Sequence, residues 1–424
     1  MHPVTPLEER VLGLLDPAAL VQDLVDLVRI PSITASAAES DLQHRQADQL
    51  RAAGFEVDLW SFDLGALAAD PEHPGTEAER SEGYGVVGVL GGDGRPGLAL
   101  QGHVDVVPTG DPARWVDGGP FEGRIADGAV HGRGACDMKA GVAVNTAVAR
   151  TIAAAGVILE RPLAVHSVIS EEDGGLGAFA TMRRGHRADA AVLTEPTSGR
   201  VVTANAGSLT FRLRIAGRAA HGSTRLEGVS ALDAYLPVHR ALQELERERN
   251  ADPAPLFRDT TLPYPISVGR IRAGDWASSV PDLLVAEGRM GVRLGEDPAE
   301  TRAALEHAID EACALDPWLR DHPVRLDWPG GRFASGMLPS GDPLLDEVRA
   351  AVVAVGGASP EESAAPYGSD LRLYAGLGGI PTLHYGPGDV RFAHAPREQV
   401  RIDEVVRVAE ALLVLALRRC GARA

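Results

Sequence analysis

Hydrophobic positions in the first half of the chain switch repeatedly between two periods. In DPAALVQDLVDLV, Leu20, Leu24 and Leu27 recur at helical spacing behind Asp16 as N-cap and Pro17 at the first helical position, which predicts an amphipathic helix. Gly54 closes a second helix, after which FEVDLW alternates like a strand. YGVVGVL, GLALQGH, PLAVHSVIS and ADAAVLTE are further apolar runs of strand length, and the helical MKAGVAVNTAVARTIAAAG sits among them. Strands interleaved with helices in this way predict an α/β fold, a largely parallel or mixed sheet covered by helices on both faces.

The pattern changes near residue 207. SLTFRLRIAG sets Leu209, Phe211, Leu213 and Ile215 on one face and Thr210, Arg212 and Arg214 on the other, so this strand has one solvated face. A helix through ALDAYLPVHRALQELERE follows, then strands ISVGRIRAG and LLVAEGRMGVRL, helix PAETRAALEHAIDEACAL and strand PVRLDW. The order βαββαβ predicts a small split-βαβ domain. Beyond it the first style returns, with helix PLLDEVRAAVVAVG, strand IPTLHYGP and a last helix from Ile402. The expected organisation is a discontinuous large domain, residues 1–206 and 332–424, interrupted by an inserted domain over 207–331, with the two chain crossings as a hinge. The polar, proline-bearing stretch 64–83 reads as a surface loop, and no internal repeat is evident.

Length supports two domains, since 424 residues exceed what one core usually serves. Charge narrows the partners. With 41 Lys plus Arg against 59 Asp plus Glu, the net charge of -18 disfavours phosphate backbones and anionic lipid surfaces, so neither nucleic acid nor membrane is expected as a partner. Cys136, Cys313 and Cys420 form no disulfide framework or CxxC knuckle, and MHPVTPLEER lacks a basic-then-apolar signal pattern, which together suggest a cytoplasmic protein. The apolar stretch VVRVAEALLVLALRR is broken by Arg407 and Glu410 and is too short to span a bilayer. The glycine-rich GVVGVLGGDGRPG is followed by a strand rather than a helix, so it reads as a turn and not as a dinucleotide loop.

Unusual groups then recur where apolar strands end. LALQGHVDVVPTG finishes in His103 and Asp105, two residues apart and therefore on one side of the chain. GRGACDMKAG supplies Asp137, VISEEDGG supplies Glu171 and Glu172, AVLTEPT supplies Glu195, and FAHAPRE supplies His394. Taken singly, such a histidine is commonly a satisfied polar group and such paired glutamates a solvated turn. Ligands of open α/β sheets, however, bind beyond the carboxyl ends of the strands, and these segments can converge there. Carboxylates crowded without a cation repel one another, so five such segments favour bound metal. Two imidazoles with several carboxylates and no thiolate suit one or two zinc-like divalent ions.

GHVDVVP, GRGACDMKAG, SEEDGG, TEPT, AAHGS and AHAPRE, in this order, resemble the dinuclear zinc hydrolases that include acetylornithine deacetylase, succinyl-diaminopimelate desuccinylase, aminoacylase and carboxypeptidase G. The resemblance implies a zinc-peptidase-like α/β domain carrying an inserted ferredoxin-like lid used for homodimerisation. It implies His103, Glu172, Glu195 and His394 as terminal ligands of two divalent ions, Zn2+ or alternatively Co2+, with Asp137 as their bridge. Asp105 would orient His103, and Glu171 would act as general base on a water shared by the ions. His221 in AAHGS would reach from the lid of one subunit into the site of the other and stabilise the oxyanion.

Glu195, where aminopeptidases of the family tend to carry Asp, favours cleavage of an N-acyl amide. The family's carboxylate grip is altered: Ser278 stands where an Asn is expected before Pro281, and Gly291 where an Arg is expected, with Arg289 and Arg293 two residues to either side on the same strand face. Arg289 could take over by a register shift, or the substrate lacks an α-carboxylate. YGSDLRLY and the GPG turn with Gly386 and Gly388 resemble substrate-lining loops, while Asp370 and Arg372 could equally form a structural ion pair. The leading expectation is a metal-dependent deacylase of small N-acyl amino acids or amines, acetylornithine-like or N-formyl-aminopyrimidine-like. A dipeptidase or carboxypeptidase is the alternative within enzymes, and a non-catalytic metal-binding scaffold the remote one.

Overall fold

The computed structural model describes residues 3–115 and 118–424. The chain divides into two compact units, one of residues 1–204, 337–363 and 370–424, the other of 205–336 and 364–369. The second unit thus takes in, beyond the expected insertion, the strand Arg332–Phe333, which pairs with Gly207–Ala216, and a return of the chain at Ala364–Ser369.

The first unit is built on a nine-stranded mixed sheet. At its centre Leu163–Val168, Leu98–His103, Ala191–Leu193 and Thr382–His384 lie side by side and parallel. Their side chains are buried throughout, as expected of strands covered on both faces. Tyr84–Leu90 and Glu56–Ser61 extend the sheet antiparallel on one side. The helix Pro17–Val28 starts as its sequence requires, with Asp16 accepting from the amides of Ala18 and Ala19. With Ala37–Ala52, Lys139–Ala154, Leu344–Ala354 and Ile402–Arg419 it contributes Leu20, Leu24, Leu42, Val144, Val148, Leu412 and Leu415 to one core cluster. A second cluster, around Phe179, Leu193 and Tyr374, occupies the other face.

The second unit has the order βαββαβ: Gly207–Ala216, Ala231–Arg249, Ile266–Ala273, Leu283–Val292, Pro298–Leu315 and Arg325–Asp327. Its antiparallel sheet places Gly207–Ala216 between Leu283–Val292 and Arg325–Asp327, with Ile266–Ala273 at the edge. Phe211, Leu213 and Ile215 are fully buried against Val238, Leu242, Leu305 and Ile309 of the two helices. Among the described residues no helix is long and apolar enough to cross a membrane.

One expectation is corrected here. Residues 64–83 are not simply a surface loop: Leu64–Ala69 is a helix, Pro74 is buried, and the Arg80 side chain is only 4% exposed. A polar composition suggests solvation, but the arginine and the peptide groups find buried acidic partners instead.

Candidate functional site

Three adjacent parallel strands deliver their chemistry from the same end. His103 is the last residue of Leu98–His103, the turn Ser170–Gly174 follows Leu163–Val168, and Glu195 follows Ala191–Leu193. Asp137 enters just before the helix Lys139–Ala154, at a cis Asp137–Met138 peptide, and His394 from the turn after Val390–Phe392.

Asp137 stands between two groups. Its Oδ1 lies 3.3 Å from His103 Nε2, which is itself 3.9 Å from Glu195 Oε1. Its Oδ2 lies 3.4 Å from His394 Nε2, which is 3.1 Å from Glu172 Oε2. One ligand atom from each of His103, Asp137 and Glu172 falls within 4.8 Å of the others. His103 is buried, whereas the His394 side chain is 52% exposed, so the donor set is accessible to solvent on that side.

The electrostatics are those of a cation site. Burial opposes charge on His103, yet hydrogen bonds with Asp105 and Asp137 and the charge of Glu195 hold its pKa well above the ordinary value. Burial likewise opposes charge on His394, but Glu172 and Asp137 push it up to about 11. Asp137 would be raised by burial, but the two imidazoles keep it below the usual carboxylate range. Burial raises Glu195 and Glu172, and raises Glu171 well above its ordinary value with the charge of Glu195 adding to it. In the metal-free protein, protons on the imidazoles therefore do part of what a divalent ion would do. Two imidazole–carboxylate pairs sharing one two-sided carboxylate, with no thiolate, form a donor set that fits two divalent ions of the zinc type.

Around this donor set lies a shell of buried supports. Asp105 accepts from the amides of Glu171 and Glu172, both at 3.2 Å, and from Thr34 Oγ1 at 3.1 Å. Its main-chain oxygen, rather than its carboxylate, makes the shorter contact with His103 Nδ1, 2.9 Å against 3.5 Å. Asp105 therefore ties the histidine to the two-glutamate turn, a wider role than orienting one ring. Among the described residues the Glu171 carboxylate makes no hydrogen bond or ion pair, although it is 8% exposed and neighbours Glu195, His103 and Asp370.

Several supports escaped the sequence reading. Glu398 Oε1 accepts from the amides of Gly134, Cys136 and Asp137 at 2.9, 3.1 and 3.1 Å, and Oε2 receives Arg133 Nη1 at 2.5 Å. Its place four residues after His394 was the one available signal. Lys139 Nζ, fully buried, donates to the carbonyls of Leu27 and Ile30 at 2.9 and 2.7 Å. Asp370 and Arg372 are both buried: Asp370 Oδ2 accepts from Gln101 Nε2 at 3.0 Å, and Arg372 Nη2 donates to the Gly174 carbonyl at 2.6 Å. Arg372 thereby braces the glutamate turn at Gly174, and Asp370 the neighbouring strand at Gln101.

Gly386 and Gly388 are also buried. A Cβ on Gly386 would come within 2.2 Å of the Thr194 carbonyl and 2.6 Å of that of Glu195, so glycine there lets one strand end close on the next. Gly388, at φ +104°, lies under Cys136, where a Cβ would meet Sγ at 2.8 Å. Their burial makes them packing for the ligand-bearing segments rather than an open lining.

The remaining expected residues belong to the second unit. His221 is exposed, with Nδ1 2.7 Å from Ser223 Oγ, and its neighbour Gly222 donates from its amide to the carbonyl of Ser278 at 2.7 Å. His221 and Ser278, far apart in sequence, thus share one corner of that unit. Arg289 is exposed on the sheet face away from the helices, across from Thr210 and Ser267. Arg293 lies beyond the strand and donates to Arg249 O at 3.1 Å, closing a helix C-terminus, so it does not continue the face of Arg289 and Gly291.

A covered mixed sheet whose parallel central strands present this donor set at their carboxyl ends is the architecture of a metal-dependent hydrolase. Residues 99–418 match the model of peptidase family M20/M25/M40, and the chain belongs to that family. It is 27% identical over 353 residues to the N-formyl-4-amino-5-aminomethyl-2-methylpyrimidine deformylase of Halalkalibacterium halodurans, covering 77% of this chain and 80% of that one. It is 28% identical over 379 residues to the acetylornithine deacetylase of Shigella sonnei, with 88% and 90% covered. The solved structure of the di-peptidase Dug1p from Saccharomyces cerevisiae superposes with a TM-score of 0.76 at 15% identity, covering 98% of each chain, a likeness of fold.

Proposed function

We propose that this chain is a dinuclear metal-dependent amide hydrolase that removes a small acyl group, formyl or acetyl, from the nitrogen of a small amine or amino acid. The observation that carries the reading is the two-sided placement of Asp137 between the His103–Glu195 and His394–Glu172 pairs, with the unpaired Glu171 alongside. His103, Glu195, His394, Glu172 and Asp137 would hold two divalent ions, zinc or alternatively cobalt, which when bound would acidify a water and polarise the acyl carbonyl. Glu171 takes the proton of the attacking water and returns it to the departing nitrogen. Its burial, which raises its pKa, suits a group that must hold that proton between the two steps. Asp105 keeps His103 and the glutamate turn in register, and His221 of a second subunit serves the oxyanion in a lid-mediated homodimer, as the family resemblance implies.

Relatives named as a deformylase and a deacetylase support acyl-amide cleavage. Ser278 and Gly291, in place of the family's carboxylate-gripping pair, favour a substrate without an α-carboxylate, and the pyrimidine in the deformylase's name has none. The test is a turnover screen with Zn2+ or Co2+ over N-formyl, N-acetyl, N-succinyl and dipeptide substrates, run beside Glu171→Gln. Turnover of an N-formyl or N-acetyl amide that Glu171→Gln nearly abolishes at unchanged metal content is the expected result. Preferential dipeptide hydrolysis would replace the reading with the peptidase alternative, and loss of metal in Glu171→Gln would mean that the two glutamates are misassigned.

A further inference from the structure

We propose that Asp70–Gly83 is a strap that fixes the Ser170–Gly174 turn, and that Arg80 is a positioning residue for Glu171 and Glu172; the catalytic part of this inference rests on the function proposed above. The turn is strained where it matters. Ser170, immediately before Glu171, has φ +63°, a left-handed conformation that a non-glycine residue keeps only where its surroundings over-determine it.

Asp105 holds one side of the turn through the amides of Glu171 and Glu172, and the strap holds the other. The amide of Glu77 donates to Asp173 O at 3.2 Å, and that of Ala78 to Asp173 Oδ2 at 3.0 Å. Arg80 Nη1 donates to Glu39 Oε2 at 2.9 Å, with Nη2 3.7 Å from Asp173 Oδ1. The other oxygen of Glu39 accepts from the amide of Ser170 at 3.3 Å, and Asp173 Oδ1 also takes the Ser170 hydroxyl. One guanidinium therefore bears on both ends of the strained segment through two buried acids.

Backbone closeness adds to this. Gly75 lies so near Gly174 that a Cβ on the latter would come within 2.0 Å of the Gly75 carbonyl. The strap's start is pinned to the helix that follows the turn, where Arg183 Nη2 meets Asp70 Oδ1 at 2.8 Å and Glu72 Oε2 at 2.7 Å. Burial and the nearby Asp105 push Glu39 up to about 8 while Arg80 pulls it down, so the guanidinium is the group that favours an ionised acceptor there. A solvated loop has no need to bury a cation among acids. A strap that locks a turn does.

The experiment compares wild type, Arg80→Met, Arg80→Lys and Glu171→Gln. Amide exchange over residues 169–177 of the metal-free protein needs no turnover and so tests the strap apart from the chemistry. In Arg80→Met, exchange there should quicken at least about tenfold with the rest of the unit unchanged. On the best substrate of the screen, kcat should fall about 10- to 100-fold with KM within about twofold, since a base displaced by a fraction of an ångström loses geometry rather than binding. Arg80→Lys, which keeps the charge, should recover part of both. Should Arg80→Met not fold, a protease site inserted between Ser81 and Glu82 and cut in the folded enzyme serves instead, the uncut protein being its control; the same exchange and kcat changes are then expected on cutting. Unchanged exchange and kcat in Arg80→Met, or after cutting, overturns the strap while leaving Glu171 intact. Activity retained in Glu171→Gln overturns the assignment of the base, and the exchange result still decides the strap.

Discussion

Replacing Asp105 with Asn isolates the tie between His103 and the glutamate turn, because the volume stays the same while the acceptor pattern does not. Asp105 is fully buried, with Oδ1 receiving the Glu171 amide and Oδ2 receiving the Glu172 amide and the Thr34 hydroxyl. An asparagine has one acceptor oxygen, so in either flip its NH2 group faces an N–H donor. One stranded buried donor costs about 1–3 kcal/mol, and the remaining bonds drop from the range of charged acceptors, about 1.5–3, to that of neutral ones, about 0.5–1.5 kcal/mol. Together these predict a loss of about 2–5 kcal/mol in the metal-free protein, or a Tm lower by about 3–8 °C for a unit of nearly 300 residues. The sign with pH follows from the depressed carboxyl. Burial would raise Asp105, but the imidazole of His103 outweighs it, so the stabilisation is present above the ordinary carboxylate range and fades as pH falls through that range. The gap between wild type and Asp105→Asn should therefore be widest near neutrality and close on acidification. Metal affinity or kcat should drop about 10- to 100-fold, as for other outer partners of metal ligands. Denaturant unfolding of the stripped protein, chelator competition and steady-state kinetics read these in turn. A variant within about 0.5 kcal/mol of wild type whose turnover and metal affinity are also unchanged would refute the reasoning.

Other outcomes follow from the same shell. Glu398→Ala strands Arg133 and three amides, and should cost the metal-free protein at least about 3 kcal/mol while weakening metal about 10- to 100-fold; a chelator competition within about threefold of wild type would show that Asp137 is held otherwise. Lys139, pulled by burial from 10.5 to about 7, leaves the folded state with fewer bound protons than the unfolded chain across that interval, so stability should rise by about 2 kcal/mol from pH 7 to pH 9. Lys139→Met should remove that rise, and a flat wild-type profile in denaturant unfolding would sink the argument. His221→Ala mixed with Glu171→Gln should regain activity above either parent if subunits exchange and the histidine acts in trans; a mixture that stays dead despite proven exchange places the histidine in its own subunit or outside the chemistry.

The segments that could be read from sequence share a physical trait: their side-chain pattern is set by burial on one or both faces of a regular element. Leu209, Phe211, Leu213 and Ile215 announce a half-buried strand, and LALQGH a fully buried one, because period and apolarity survive any tertiary context. The candidate site residues stand out for the opposite reason, as polar groups placed where apolar runs stop. What stayed hidden was polar residues serving other polar residues. Arg80 and Glu398 lie in stretches whose composition reads as solvated, and only three-dimensional closure pairs them with Glu39 and with the loop before Asp137. Gly386 and Gly388 read as lining in the sequence because a glycine-rich turn admits both a ligand and a neighbouring backbone, and only the structure shows which.

The balance of buried charge bears on how many ions the centre takes. Arg80, Arg133, Arg372 and Lys139 are all buried near it, yet each is tied outward, to Glu39, to Glu398, to the Gly174 carbonyl and to the carbonyls of Leu27 and Ile30. Only Arg372 also feels the charge of an acid at the centre, Glu171, alongside that of Asp370. Facing the two imidazoles of His103 and His394 are four acids, Asp137, Glu171, Glu172 and Glu195, with Asp105 and Asp370 buried behind them. One divalent ion would leave two buried negative charges, or two protons in their place. Two divalent ions with neutral imidazoles balance all four acids, and uncompensated buried charge is what such an interior resists most strongly. The outward-tied cations thus stiffen the turns while keeping the centre's negative charge available, and that division of labour favours a pair of ions over a single one.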